Sequence, residues 1–205
     1  MTAVKICGLR RSQDVEMVNR YLPEYAGFVF APSKRQVSKE EAAVLREKMD
    51  ERIQAAGVFV NAEIEEIAEI YREGIIQLIQ LHGDEDERYI QKLREKIPGA
   101  RIVKAVRVKS QEQIRQADGH PCEYLLLDSY TAEQYGGSGK GFDKRLIPET
   151  EKPYFLAGGL DAENVGENIR LCRPYAVDVS SAVETEGYKD EEKIRRFIEA
   201  VRKES

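Results

Sequence analysis

The chain has 205 residues, of which 41% are hydrophobic and 34% are charged, and its formal net charge is −5. The hydrophobic fraction is enough for a full-sized core, and a chain of this length is expected to form one domain, spanning residues 1–205. The nearly balanced charge argues against a general nucleic-acid binder, which carries a basic excess, so an anionic ligand would need a local site.

Short apolar runs recur roughly every 25 residues, each followed by a polar turn and an amphipathic segment. This alternation predicts parallel strands joined by crossover helices. The predicted strands are Val4–Cys7, Tyr25–Ala31, Ala55–Val60, Ile75–Leu81, Arg101–Val108, Tyr124–Asp128, Tyr154–Ala157 and Ala176–Ser180. The predicted helices include Lys39–Asp50, Glu63–Glu73, Glu85–Lys96 and Glu191–Lys203.

Eight such units, each with a strand and a helix, predict an α/β fold, a single-domain (β/α)8 TIM barrel near the lower size limit of that class. A doubly wound open sheet is the alternative, but it usually stops at five or six units. Three helix starts have the spacing of a capping box, in which two side chains accept hydrogen bonds from free backbone N–H groups. These pairs are Ser38 with Glu41, Asp84 with Glu87, and Ser110 with Gln113.

The first predicted strand separates its side chains into two sets. Val4 and Ile6 point to one side and Lys5 and Cys7 to the other, because side chains alternate along a strand. The apolar pair is expected to meet the helices. Lys5 and Cys7 are therefore expected inside the barrel.

Polar side chains also stand at the ends of other predicted strands. Asp128 ends the sixth, His82 follows the fourth, and Asp178 lies late in the eighth. Polar groups are costly in a barrel interior unless they are paired or used, and barrel active sites lie at the carboxyl ends of the strands. The placement predicts an active site, and unrelated, satisfied polar residues are the alternative.

Three segments rich in small residues, 136–141, 157–159 and 180–182, follow the last three predicted strands. Glycine lets backbone N–H groups approach an anion closely, and barrels often bind phosphate with the loops after strands seven and eight. The first segment is not a P-loop, because Gly141 rather than Ser or Thr follows Lys140. The predicted phosphate contacts are Gly137, Gly139, Gly158, Gly159, Ser180 and Ser181.

Six short motifs resemble those of phosphoribosylanthranilate isomerase, in the order found in that family, from residue 5 to about residue 190. The resemblance implies a cofactor-free Amadori rearrangement in tryptophan biosynthesis. Its substrate would be N-(5-phosphoribosyl)anthranilate and its product 1-(2-carboxyphenylamino)-1-deoxyribulose 5-phosphate. The motifs are KICGL at 5–9, QLHG at 80–83, LDS at 127–129, GGSGK with FD at 136–143, LAGGL at 156–160 and VDVSS at 177–181.

Carried over by position, the resemblance implies that Cys7 is the general base, Asp128 the general acid, and Arg35 the partner of the anthranilate carboxylate. His82 is a substrate contact that could orient the acid, although a structural histidine is the alternative. Asp178 could bind sugar hydroxyls or neutralise Lys5. Two departures from the family, Lys144 after Phe-Asp and Gln36 after the loop arginine, concern loop packing and the fit of the aromatic ring.

The implied chemistry makes two demands on these side chains. The acid must protonate the furanose ring oxygen, and the base must remove a proton from the carbon next to the resulting iminium. A thiol can act as that base where cations lower its pKa from about 8.5, and Lys5, Arg35 and the donors of the phosphate site are expected to supply this field. The acid and Cys7 should therefore face each other from opposite walls of the barrel mouth.

Two other functions stay open. A related aminoaldose isomerase of histidine biosynthesis usually relies on two aspartates, one at the end of the first strand, where this chain has Cys7. A non-catalytic phosphate-binding barrel would keep the glycine-rich turns but would not need an opposed cysteine and aspartate. A monomer is the default expectation for the oligomeric state, and a homodimer is the alternative.

The three cysteines, at positions 7, 122 and 172, are an odd number and widely spaced. They form neither a disulfide framework nor the ligand spacing of a zinc site, so no metal is expected. No apolar stretch has the length of a signal peptide or a membrane span. We therefore expect a cytoplasmic enzyme without a membrane partner.

Overall fold

Eight parallel strands close into a barrel in the order β1 to β8. The structure is a computed structural model that describes residues 1–129 and 143–204. Each strand pairs in parallel with the next along the chain, and β1 pairs with β8 to close the ring. The strands are β1 Ala3–Cys7, β2 Tyr25–Val29, β3 Gln54–Phe59, β4 Leu78–Leu81, β5 Arg101–Val108, β6 Tyr124–Ser129, β7 Tyr154–Leu156 and β8 Ala176–Val179. The predicted TIM barrel is confirmed.

The described residues contain seven α-helices rather than the eight expected. Between β6 and β7, residues 143–153 hold only a 3-10 turn, Lys144–Leu146, and residues 130–142 lie outside the described part. Past β8 come a second 3-10 turn, Ser181–Val183, and a hairpin of β9 (Glu184–Thr185) and β10 (Tyr188–Lys189). The helices are α1 Ser12–Tyr21, α2 Lys39–Glu47, α3 Ile64–Arg72, α4 Glu87–Lys96, α5 Gln111–Asp118, α6 Val165–Cys172 and α7 Glu191–Arg202. None of the helices in these ranges is both long and apolar enough to pass through a bilayer.

Two hydrophobic cores hold the barrel together. The larger core lies between strands and helices and contains Val4 and Ile6, which are fully buried. The smaller one fills the barrel interior, where Phe155 makes an edge contact with Tyr25 at 5.3 Å between ring centroids. The predicted polarity of β1 is confirmed, since Lys5 is fully buried on the opposite side from the apolar pair.

One predicted capping box is confirmed and another is wrong. The hydroxyl of Ser38 accepts from the backbone N–H of Glu41 at 3.2 Å, and the Glu41 carboxylate accepts from the N–H of Ser38 at 2.8 Å. At α4 the cap is Asp86, which accepts from the N–H of Tyr89 at 2.8 Å, and not Asp84. Both aspartates are of a residue type that caps helices and both lie just before α4, so the path of the chain after β4 decides which of them is the cap.

Other helix and strand ends also differ in detail from the sequence prediction, and two of them have a clear cause. Ser110 caps α5 by accepting from the N–H of Gln113 at 3.5 Å, but the Gln113 side chain accepts from a neighbouring residue instead of completing a box. β4 begins at Leu78 and not at Ile75. Ile75 and Ile76 are buried in the larger core before the strand starts, which explains the longer apolar run.

Candidate active site

A cavity of about 920 Å³ opens at the carboxyl ends of the strands. Every predicted site residue that the structure describes contributes to its wall, so the sequence prediction of one shared site agrees with the fold. Gly137 and Gly139 lie outside the described residues. The predicted residues along the wall are Cys7, Arg35, His82, Asp128, Gly158, Gly159, Asp178, Ser180 and Ser181.

Cys7 is the last residue of β1 and stands beside Gly27 of the neighbouring strand. A methyl group on Gly27 would come within 2.8 Å of the Cys7 Sγ, so the glycine leaves the space that the thiol occupies. The Cys7 carbonyl accepts a hydrogen bond from the Ser180 hydroxyl at 2.9 Å. The proposed base is therefore connected directly to the end of β8.

The thiol of Cys7 is not acidified in the free protein. Burial raises its pKa, and the charges of Lys5 and Lys189 only partly offset this effect. The expectation that nearby cations such as Lys5 and Arg35 lower the pKa of Cys7 below its ordinary value is therefore wrong, because the effect of burial is larger than theirs. A cation that the sequence did not indicate, Lys189, contributes to the opposing field.

Lys5 and Asp178 form an ion pair inside the barrel, with Nζ and Oδ1 3.0 Å apart. Although burial alone would lower the pKa of Lys5, the charge of Asp178 and the nearby Cys7 raise it overall. Of the two roles considered for Asp178, neutralising Lys5 is the one the structure contains. Asp178 also faces the cavity, so a contact with sugar hydroxyls stays a prediction.

Asp128 lies near the end of β6 and is 5% exposed. Its Oδ1 accepts from the backbone N–H of Ser129 at 2.7 Å, and its Oδ2 lies 3.4 Å from the His82 Nε2. Gly158, after β7, has a φ of +80°, and a methyl group there would lie 2.9 Å from the Asp128 Oδ1. Glycine is required at this position both by the backbone conformation and by the close approach to the carboxylate.

The two proposed proton-transfer groups stand on different walls. In the ring of strands, β1 and β6 are separated by two strands on one side and by four on the other. Cys7 and Asp128 both face the same cavity from these strands. This placement agrees with the expected opposed arrangement.

Arg35, in the loop after β2, is held by a carboxylate of this chain. Its Nε and Nη2 donate to the two oxygens of Glu184 at 2.6 and 2.8 Å. Lys189 donates to the same carboxylate at 2.8 Å and to the Ser180 carbonyl at 3.0 Å. Glu184 therefore ties the loop after β2 to the segment after β8.

A family model described as N-(5'-phosphoribosyl)anthranilate (PRA) isomerase matches residues 4–200. The chain belongs to this family. A curated N-(5'-phosphoribosyl)anthranilate isomerase from Lachnoclostridium phytofermentans is 48% identical over 207 residues, covering 95% of this chain and 94% of the relative.

Solved structures of phosphoribosylanthranilate isomerases have the same fold. The enzyme from Thermotoga maritima superposes with a TM-score of 0.85 at 33% identity and covers 99% of this chain and 100% of its own. A second structure, with a TM-score of 0.82, 32% identity and coverage of 99% and 100%, is a complex with reduced 1-(o-carboxyphenylamino)-1-deoxyribulose 5-phosphate. The resemblance that the six motifs indicated is confirmed at the level of the family.

The two departures from the phosphoribosylanthranilate isomerase pattern have structural roles here. Gln36 donates from Nε2 to the Phe30 carbonyl at 3.0 Å, which fastens the loop that carries Arg35. Lys144 Nζ lies 3.4 Å from the carbonyl oxygen of Gly158. Burial lowers the pKa of Lys144 to about 8. Both residues therefore contact loops of the site without replacing its proposed acid or base.

Three residues of the site were missed as functional candidates. Gln80 could have been found, because strand alternation puts it on the same side as His82. Glu184 and Lys189 had no comparable signal, since charged residues in a short connection are typical of a solvated loop. They are buried because the segment after β8 packs against the loop that carries Arg35.

Proposed function

We propose that this protein catalyses the rearrangement of N-(5-phosphoribosyl)anthranilate to 1-(2-carboxyphenylamino)-1-deoxyribulose 5-phosphate, a step of tryptophan biosynthesis. The observation that carries the proposal is the presence of Cys7 and Asp128 on different walls of one cavity. Support also comes from family membership. A related structure at 32% identity is a complex with a reduced form of the same product.

In the proposed reaction, the carboxyl group of Asp128 donates its proton to the furanose oxygen while the bond between that oxygen and the anomeric carbon breaks. The nitrogen lone pair forms the iminium. The Cys7 thiolate then removes the proton from the adjacent carbon, and the electron pair of that C–H bond neutralises the iminium to give an enolamine. The enolamine tautomerises to the ketone, so no net proton is gained or lost.

The raised pKa of Cys7 limits which ionic state can react. The productive state has the thiol deprotonated and the carboxyl of Asp128 protonated. Because burial raises the pKa of Cys7, its thiolate is the minor form of this side chain in the free protein. Substrate that binds the productive state meets a protonated acid and a deprotonated base. Because only a small fraction of the protein is in this state, the apparent affinity for substrate is lowered by that fraction.

The two anionic ends of the substrate would fix the ribose between these groups. The phosphate would bind the backbone after β7 and β8, at Gly158, Gly159, Ser180 and Ser181. Because Glu184 occupies the Nε and Nη2 edge of Arg35, the benzoate would meet the guanidinium at Nη1. Binding both ends of the substrate contributes to catalysis by positioning the ribose. Both proton transfers are assigned to side chains, so the proposed reaction needs no metal or cofactor.

The test is an assay of the purified protein with freshly made phosphoribosylanthranilate, without added metal, followed by loss of aminobenzoate fluorescence. We expect turnover, and we expect Cys7→Ser and Asp128→Asn each to lower kcat by about 10²–10⁴-fold. The histidine-pathway aminoaldose is assayed in parallel. Absence of turnover with binding of inorganic phosphate would instead support a non-catalytic barrel.

The assembly and location of the protein are part of the proposal. We propose a monomer that acts in the cytoplasm, with a homodimer as the alternative. Light scattering at several protein concentrations distinguishes the two assemblies. A mass of twice 23.4 kDa would contradict the monomer.

A further inference from the structure

Gln80, His82 and Asp128 lie side by side in the buried wall of the cavity. Gln80 lies in β4 and is 2% exposed, and His82 directly follows the strand and is 8% exposed. The Gln80 Nε2 is 2.9 Å from the His82 Nδ1. The other ring nitrogen, Nε2, is 3.4 Å from the Asp128 Oδ2.

These distances constrain where the imidazole carries its proton. A neutral imidazole has one N–H donor and one bare acceptor nitrogen, and an amide NH2 can only donate. With the Gln80 NH2 facing Nδ1, that nitrogen accepts and the proton resides on Nε2. We propose that Gln80 is a positioning residue that holds His82 in the Nε2–H tautomer, with this N–H directed at the carboxylate of Asp128.

The carboxylate of Asp128 disfavours the reverse orientation of the Gln80 amide, even though the Gln80 Oε1 is buried without a hydrogen-bond partner among the described residues in the present one. The reverse orientation would place Oε1 against Nδ1 and draw the ring proton there, leaving Nε2 as a bare acceptor facing a carboxylate oxygen. Two acceptors would then oppose each other in a buried site, which is costly. The Nε2–H tautomer avoids this conflict, because a donor then faces the carboxylate.

The role of this donor depends on the proposed function, in which Asp128 loses its proton during ring opening. The His82 Nε2 is buried and makes no hydrogen bond to any described residue, and the Asp128 Oδ2 at 3.4 Å is the acceptor it faces. Catalytic hydrogen bonds that are long in a free enzyme often shorten as charge develops. As Asp128 becomes a carboxylate, the His82 Nε2–H would donate a hydrogen bond to its Oδ2, while the Ser129 N–H donates to Oδ1.

The tautomer can be observed directly, without substrate. The chain has only two histidines, His82 and His120, so two imidazoles appear in long-range ¹H–¹⁵N correlation spectra of the full-length protein. His120→Gln identifies the signals of His82. At alkaline pH, above the ordinary range of imidazole titration, we expect a protonated Nε2 and a bare Nδ1.

Two variants of Gln80 test the cause. In Gln80→Glu a carboxylate accepts from the ring, so Nδ1 should become protonated. In Gln80→Leu the constraint is removed, and the two ¹⁵N shifts should move towards the average of a tautomer mixture. A protonated Nδ1 in the unaltered protein, or unchanged shifts in Gln80→Leu, would overturn the assignment.

Kinetics tests the link to catalysis. Gln80→Leu should lower kcat by about tenfold, which is a fraction of the rate enhancement that a general acid supplies. KM should change by less than about twofold. Gln77→Leu is the control, because this glutamine lies just before β4 and bonds the Ala55 N–H and the Gly74 carbonyl outside the cavity. Its kcat should be unchanged.

The outcomes separate this inference from the proposed function. An unchanged kcat in Gln80→Leu, with the unaltered protein active, would refute the positioning role. If the unaltered protein does not isomerise phosphoribosylanthranilate, the proposed function fails while the spectra still decide the tautomer. Thermal melts of each variant show that it is folded before its spectra are compared.

Discussion

Glu184→Gln removes one negative charge from a buried cluster and leaves the shape of the side chain almost unchanged. The Glu184 side chain is 4% exposed and accepts from Arg35 through both oxygens and from Lys189 through one. Replacing it by an amide leaves two cations with a neutral partner. Breaking a buried ion pair in this way is strongly destabilising, because the remaining charge is uncompensated.

The magnitude follows from the ionisation of Glu184. Although burial alone would raise its pKa, the hydrogen bond from Arg35 and the charge of Lys189 lower it from 4.5 to about 2. A carboxylate with a lowered pKa stabilises the folded state above pH 4.5, and the contribution is lost as the pH falls towards 2. The difference corresponds to roughly 3 kcal/mol at neutral pH.

Urea unfolding of the parent protein and of Glu184→Gln, at intervals between about pH 7 and pH 3, measures this contribution. We expect a gap of about 3 kcal/mol at neutral pH that narrows below pH 4.5. Glu199→Gln, in an exposed pair on α7, is the matched control and should change stability by less than about 0.5 kcal/mol. A Glu184→Gln gap below about 1 kcal/mol, or one independent of pH, would refute the reasoning.

The same variant and three others address the site itself. Glu184→Gln should lower kcat/KM about tenfold or more, mainly through KM, because Arg35 loses its fixed orientation; an unaltered KM would contradict this. Gly158→Ala should lower kcat at least about tenfold, since its methyl group would press on Asp128, and a wild-type rate would count against the close approach. Gly27→Ala should displace the thiol and slow turnover, while phosphate binding in a titration stays intact. Alkylation of Cys7 by iodoacetamide, followed by mass spectrometry, should be slow at neutral pH and accelerate as the pH is raised, because burial raises the pKa of the thiol; rapid labelling at neutral pH would be the opposite result.

Local patterns in the sequence determined the architecture and most of the side chains that face the cavity. Side chains alternate along a strand regardless of what surrounds it, so Lys5 and Cys7 could be assigned to the barrel interior from four residues. Carboxyl ends of parallel strands meet at one face, so Asp128 and His82 could be brought together without knowing their distance. Element ends were less determined, as the start of β4 and the cap of α4 illustrate.

Only the tertiary structure decided the electrostatics of the site. Arg35 and Glu184 are 149 residues apart, and Lys5 and Asp178 are 173 apart, so their pairing depends on closure of the ring and on the path of the segment after β8. The same holds for the ionisation of Cys7, because its pKa is governed first by burial. Burial and long-range Coulomb interactions are properties of the packed chain, whereas strand periodicity is a property of the neighbouring residues.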